Sequence, residues 1–229
     1  MSDFGDIDAV VFDVLGTMVD EPSGLRSAIA EAAPSCGAAA LDALVATWQR
    51  HVESAQHAIA QGHRAYAPSD VIDAEAAERV VERAGITSAD FIARLGAAGS
   101  RLPAWDDSRR GLERISHVCP VLGLSNACQS SLLRLNAYAG LRWHAVLSAE
   151  SAQAYKPAPE VYRLAVDAMD RPADRVLMVA AHAWDLRGAQ SVGMRTAYVR
   201  RPVGDAPERS DRFDWQFDGL DALAAALTA

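Results

Sequence analysis

The chain has 229 residues, half of them hydrophobic, with a formal net charge of −8 and a pI near 5.2. That length and apolar content suffice for a buried interior, either one large domain or a core with an insertion, while the acidic balance gives no attraction to phosphate backbones and excludes nucleic acid as an expected partner. No basic-flanked apolar leader opens the sequence and no apolar run approaches the roughly 20 residues that span a bilayer, so the expected setting is the cytoplasm, away from any membrane.

The first element is the apolar run Ala9-Val10-Val11-Phe12, which reads as a buried strand delivering Asp13 to its carboxyl end. In open α/β sheets ligands bind beyond those ends, and Gly16 lets the backbone turn tightly there. Leu15 stands where a second acid would stand if this were a paired-carboxylate site.

From about residue 19 to residue 98 no convincing strand occurs. Leu41, Leu44, Val45, Trp48, Val52, Ala55 and Ile59 recur at three- and four-residue steps and form one stripe on a long helix. Further helices are expected over 25–32, 69–84 and 88–95, the first and last opening near Ser or Asp caps. Strand-like runs follow at 120–124, 144–147, 176–180 and 196–199, with a weaker one at 215–217, and helix-length stretches at 159–169 and 185–192 lie between them. Continuous apolar strands alternating with helices indicate a parallel sheet covered on both faces. The expected organisation is an α/β, doubly wound, Rossmann-like core formed by residues 1–18 and 99–229, with a helical cap of residues 19–98 inserted after the first strand and able to close over the strand ends.

Cys36, Cys119 and Cys128 are too few and too widely spaced for a disulfide framework or a zinc site. The basic residues tell more: 21 of 22 are arginine and one, Lys156, is lysine. A compact ammonium is not interchangeable with a guanidinium at a tight site, so this lysine is a candidate functional group.

Four segments put polar groups at strand ends in an otherwise apolar scaffold: Phe12-Asp13-Val14-Leu15-Gly16-Thr17, Leu124-Ser125-Asn126, Tyr155-Lys156-Pro157 with Val161-Tyr162, and His182-Ala183-Trp184-Asp185. In this order they resemble the four motifs of the haloacid dehalogenase superfamily, and in particular its L-2-haloacid dehalogenase branch, across almost the whole chain. The resemblance implies that Asp13 attacks the carbon bearing a halogen and forms an aspartyl ester, which water then opens at its carboxyl carbon. Thr17 and Ser125 would position the carboxylate or the substrate, and Lys156 would hold the charge of Asp13. Tyr162 would line the pocket, and Asp185, with Asn126 and His182, would orient or activate the hydrolytic water. Leu15 and Trp184 join the substrate-binding candidates.

Phosphatases of this superfamily carry a second aspartate two residues after the nucleophile and a further metal-binding aspartate in the fourth motif. Leu15 and Ala181 occupy those slots here, so neither metal nor cofactor is expected, and a small molecule is the expected partner, with a homodimer the assembly considered. Much of the dehalogenase branch has an arginine after the tryptophan of the long cap helix. Here Trp48 is followed by Gln49, with Arg50 and Arg64 as the candidate replacements, and Ala180-Ala181-His182 replaces a Ser-Ser-Asn-like run. A magnesium-dependent phosphatase and a non-catalytic binding protein on the same scaffold stand as alternatives.

Overall fold

A computed structural model of the protein describes residues 4–86 and 89–229. Six parallel strands form one sheet in the order β3-β2-β1-β4-β5-β6: β1 (Ala9–Asp13), β2 (Val121–Ser125), β3 (Ala145–Ser148), β4 (Val176–Ala180), β5 (Arg195–Val199) and β6 (Trp215–Phe217). The strands expected from the apolar runs are all present, with ends that differ by a residue at most. β1 lies at the middle, where the strand order reverses, and the open end of such a switch point is where this architecture binds ligands.

Alternation along β1 explains how the sheet is covered. Val10 and Phe12 face one apolar cluster with Leu112, Ile115, Leu132, Leu135 and Leu223, from α5 (Ser108–Ser116), α6 (Gln129–Ala139) and α9 (Leu220–Leu227). Ala9 and Val11 face the other, with Val161, Tyr162 and Leu186, from α7 (Pro159–Met169) and α8 (Ala183–Ser191). Every residue of β1, Asp13 included, is buried. An apolar side chain so enclosed contributes about 1.5–3 kcal/mol, which lets the strand carry one buried acid at its end.

Between β1 and β2 run α1 (Glu21–Ala32), α2 (Ala38–Ala60), α3 (Ser69–Ala84) and α4 (Ala89–Gly96). They share an apolar cluster of their own, built on Leu25, Ile29, Leu44, Trp48, Val80 and Leu95. α1 opens four residues earlier than the expected 25–32: Asp20 caps it by accepting from the Ser23 amide, and Pro22 fits the first turn. The cap expected at Ser88 lies outside the described residues. α8 likewise opens at Ala183, two residues earlier than the apolar pattern suggested.

The chain enters and leaves this helical segment side by side. Val19 pairs with Ala104, the Asp20 amide donates to Pro103 O at 2.8 Å, and the Trp105 amide donates to Met18 O at 3.2 Å. A second contact ties the helices to the sheet, since Tyr155 donates from its hydroxyl to Ala67 O at 2.7 Å and the Cys128 amide donates to Ser69 Oγ at 2.7 Å. Among the described residues, no helix is long and apolar enough to cross a membrane.

Candidate active site

The end of β1 places Asp13 against side chains from three other segments. Thr17 donates from Oγ1 to Asp13 Oδ2 at 2.6 Å and accepts the Ala181 amide at 2.9 Å, so the loop after β4 fixes the hydroxyl that fixes the carboxylate. Lys156 donates from Nζ to Asp13 Oδ1 at 3.0 Å and to Asp185 Oδ2 at 2.9 Å. Tyr162 donates to the remaining Asp185 oxygen, Oδ1, at 2.6 Å. Asp185 and Tyr162 are fully enclosed, and Asp13 retains 6% of its exposure.

Electrostatics follow from that enclosure. Burial pulls the Lys156 ammonium down, but Asp13 and Asp185 together outweigh it and hold it above its ordinary value. Asp185 is pushed up by burial despite Lys156, and Asp13 adds to the rise. Burial and the neighbouring Asp185 raise the Tyr162 phenol, which keeps it a proton donor.

Backbone interactions hold the nucleophile loop in place. Gly16 has φ +78°, and a Cβ there would lie 2.5 Å from His182 Nε2, so both conformation and space call for glycine. Trp105 donates from Nε1 to Gly16 O at 3.1 Å, while Arg201 donates from Nε to Thr17 O at 2.8 Å and pairs with Asp107 at 2.7 Å. Asn126 accepts the Lys156 amide at 2.8 Å and donates to Gln56 of α2 at 3.1 Å, linking the lysine loop to the helices above. Ser125 is buried and accepts the Ala127 amide at 3.2 Å.

A cleft of about 610 Å³ lies over the lysine, lined by Glu21, Trp48, Gln49, Gln56, Lys156 and Trp184. A smaller adjoining cavity shares Glu21, Trp48 and Gln56 with it and adds Leu15, Asp73 and Asn126. The site residues expected from sequence thus converge, with three corrections. Tyr162 stands behind Asp185, fully buried, and is absent from the walls of both spaces, because its hydroxyl is drawn to that carboxylate. Arg64 is not a replacement for the missing arginine: a bidentate pair with Glu75, at 2.9 and 2.7 Å, commits it elsewhere. Arg50 is exposed, bonds to Thr47 and lines neither space, because one helical step turns it away from the face that Trp48 buries. His182 packs beside Gly16 and Trp184, its ring centroid 5.8 Å from the tryptophan's.

Magnesium does not fit these donors. The slots that would add oxygens hold the side chains of Leu15 and Ala181, and an ammonium occupies one oxygen each of Asp13 and Asp185.

A family model for haloacid dehalogenase-like hydrolases matches residues 7–193. The chain belongs to the haloacid dehalogenase-like hydrolase family. Within that family it is 28% identical to the (S)-2-haloacid dehalogenase H-109 of Pseudomonas putida, over 93% of this chain and 99% of that one. Among solved structures, a defluorinating L-2-haloacid dehalogenase superposes with a TM-score of 0.88 at 28% identity, covering 97% of this chain and 96% of the other. A dehalogenase solved with an intermediate complex gives 0.86 at 27% identity over the whole of both chains. The haloacid dehalogenase-like motifs account for the lysine clamp. They gave no sign of Glu21, Asp73, Gln56 or Arg201. The one available signal was the run Val19-Asp20-Glu21-Pro22, which announces a helix start and says nothing about a pocket.

Proposed function

We propose that this protein is a (S)-2-haloacid dehalogenase that opens the carbon–halogen bond of short 2-haloacids without a metal. The observation that carries this reading is Lys156 held between Asp13 and Asp185 while Leu15 and Ala181 fill the positions of phosphoryl-transfer acids. Displacement at an alkyl carbon needs a dry, oriented carboxylate and no acid catalyst for the leaving group. The names and coverage of the relatives agree with it.

In the first step an Asp13 oxygen forms a bond to the carbon bearing the halogen, and halide leaves with the bonding pair. Thr17 and Lys156 aim the two carboxylate oxygens. Attack from behind the halogen inverts that carbon. In the second step water attacks the Asp13 carboxyl carbon, the ester C–O bond breaks, and a 2-hydroxy acid and one proton are released. Asp185, steadied by Tyr162 and raised by burial, is the base that takes the proton from water. Lys156 stabilises the charge on the ester oxygens as they pass through the tetrahedral stage.

The test is halide release from a panel of short 2-haloacids by the wild type and Asp13→Asn. A single turnover in ¹⁸O-water should leave ¹⁸O in the peptide containing Asp13. No halide from the panel, while a known dehalogenase releases it, would falsify the reading.

A further inference from the structure

Beyond β5 the chain does not leave the site, and residues 201–205 touch both loops that carry the reacting groups. Arg201, 9% exposed, donates from Nε to Thr17 O at 2.8 Å and lies over the Trp105 ring, 5.7 Å from its centroid, while the Trp105 indole donates to Gly16 O. One stacked pair thus holds two successive carbonyls of the nucleophile loop, and Asp107 pairs with the guanidinium at 2.7 Å. Gly204 lies so close to the turn after β4 that a Cβ there would stand 2.4 Å from Ala181 O. Asp205 then caps α8: its carbonyl accepts the Ala183 amide at 2.9 Å and its carboxylate the Trp184 amide at 3.2 Å, while His182, at the cap position itself, makes no side-chain cap bond. These amides are orphan donors of the turn that holds Asp185, and a carboxylate there also meets the positive end of the helix dipole. No residue of 201–205 lines either space over the site, so the part of this segment is positioning and not substrate contact.

We propose that Arg201 and Asp205 are positioning residues that brace the two chemical steps separately: Arg201 aims Asp13 through Thr17 for ester formation, and Asp205 sets the start of α8, and with it Asp185, for ester hydrolysis. The inference rests on the dehalogenase reading. Thr17 donates its hydroxyl to Asp13 and accepts from Arg201 at its carbonyl, so the guanidinium fixes the backbone from which the carboxylate is aimed. Misplacing a reacting oxygen by about 1 Å lowers the rate on the order of a hundredfold. Lys156 and Tyr162 hold the Asp185 carboxylate, whereas the capped turn holds the backbone that carries it.

Rapid quench and intact-mass spectrometry with (S)-2-chloropropanoate give the rate constants of ester formation and ester hydrolysis separately. Arg201→Lys keeps a charge against Asp107 without the planar fork that also reaches Thr17 O. Ester formation should slow in it by roughly tenfold or more, with hydrolysis near the wild-type rate. Arg201→Met should show the same effect more severely, and where it fails to fold the lysine variant carries the test. Asp205→Ala should slow hydrolysis by about fivefold, the effect of a lost helix cap, so that the ester accumulates. Asp205→Asn keeps an acceptor oxygen for the Trp184 amide and should restore the rate. Hydrogen exchange read on peptides, independent of turnover, should quicken over 183–186 in Asp205→Ala and over 14–18 in Arg201→Lys. Both steps slowed alike in each variant, or lower melting temperatures with both rate constants intact, would overturn the inference and leave the dehalogenase reading standing. Absence of halide from the wild type would bring down that reading, and the step assignments with it.

Discussion

Lys156 lies 143 positions beyond Asp13 in the chain and ends with its Nζ 3.0 Å from Asp13 Oδ1. The same nitrogen serves Asp185 at 2.9 Å, so one ammonium bridges two carboxylates, one at the end of β1 and one in the first turn of α8. Lys156→Met leaves both without a cation in a buried site. It should abolish halide release and lower unfolding stability by about 3–5 kcal/mol in urea titrations. Lys156→Arg should not restore activity, because a planar guanidinium does not fit a site shaped for one ammonium.

The hydrogen bond from Tyr162 to Asp185 should matter in the second chemical step more than in the first. Tyr162→Phe removes the donor from a buried carboxylate at a cost of about 1.5–3 kcal/mol. Intact-mass spectra during turnover should show the Asp13 ester accumulating in this variant, and more so in Asp185→Asn. Equal slowing of ester formation and ester hydrolysis would contradict the assigned roles.

Gly188 supports the same tyrosine. A Cβ there would lie 2.7 Å from the Tyr162 ring. Gly188→Ala should therefore displace the phenol and reproduce the ester accumulation of Tyr162→Phe, together with a lower melting temperature.

Stability should fall as pH rises from acid to neutral, and the sign comes from Glu21 and Asp73. An unfolded glutamate releases its proton near 4.5, and the folded Glu21 at about 7; for the aspartate the values are 3.8 and about 8. Between each pair of values the folded state binds the extra proton, so raising the pH through that window favours unfolding. Glu21→Gln and Asp73→Asn should each stabilise the protein at pH 8 by roughly 2 kcal/mol or more, and scarcely at pH 4. Denaturation midpoints at the two pH values check this.

Chelation should leave the reaction untouched. The side chains of Leu15 and Ala181 offer no oxygen, and an ammonium already sits on Asp13 and Asp185. Halide release should be the same with EDTA or added magnesium, and a generic phosphate ester should not turn over.

The sheet was legible because its strands are continuous apolar runs, and 176–180 reads the same in sequence and structure. The site was legible where motif residues meet at strand ends, as Asp13, Thr17, Lys156 and Asp185 do. What escaped the sequence were relations across the fold. Tyr162 occupies a regular helical position, and only the packing of α7 on α8 turns its hydroxyl to Asp185 instead of the pocket. Arg64 looked available until α3 brought Glu75 beside it. Glu21 resembles any acid in a first helical turn, and its meaning depends on Asp73 arriving from another helix.

The pairing of Val19 with Ala104 makes residues 20–103, seen from the sheet, the loop of a single hairpin. The backbone leaves β1 and returns toward β2 at neighbouring points, so a short turn could join them without disturbing the strand register. Bond-breaking groups therefore stay with the sheet, while the share of the pocket wall that α1, α2 and α3 supply, Trp48, Gln49 and Gln56 among it, sits on a covalently separable stretch that can be rewritten helix by helix. A chimera carrying another relative's 20–103 should keep the Lys156 clamp and acquire the donor's substrate range.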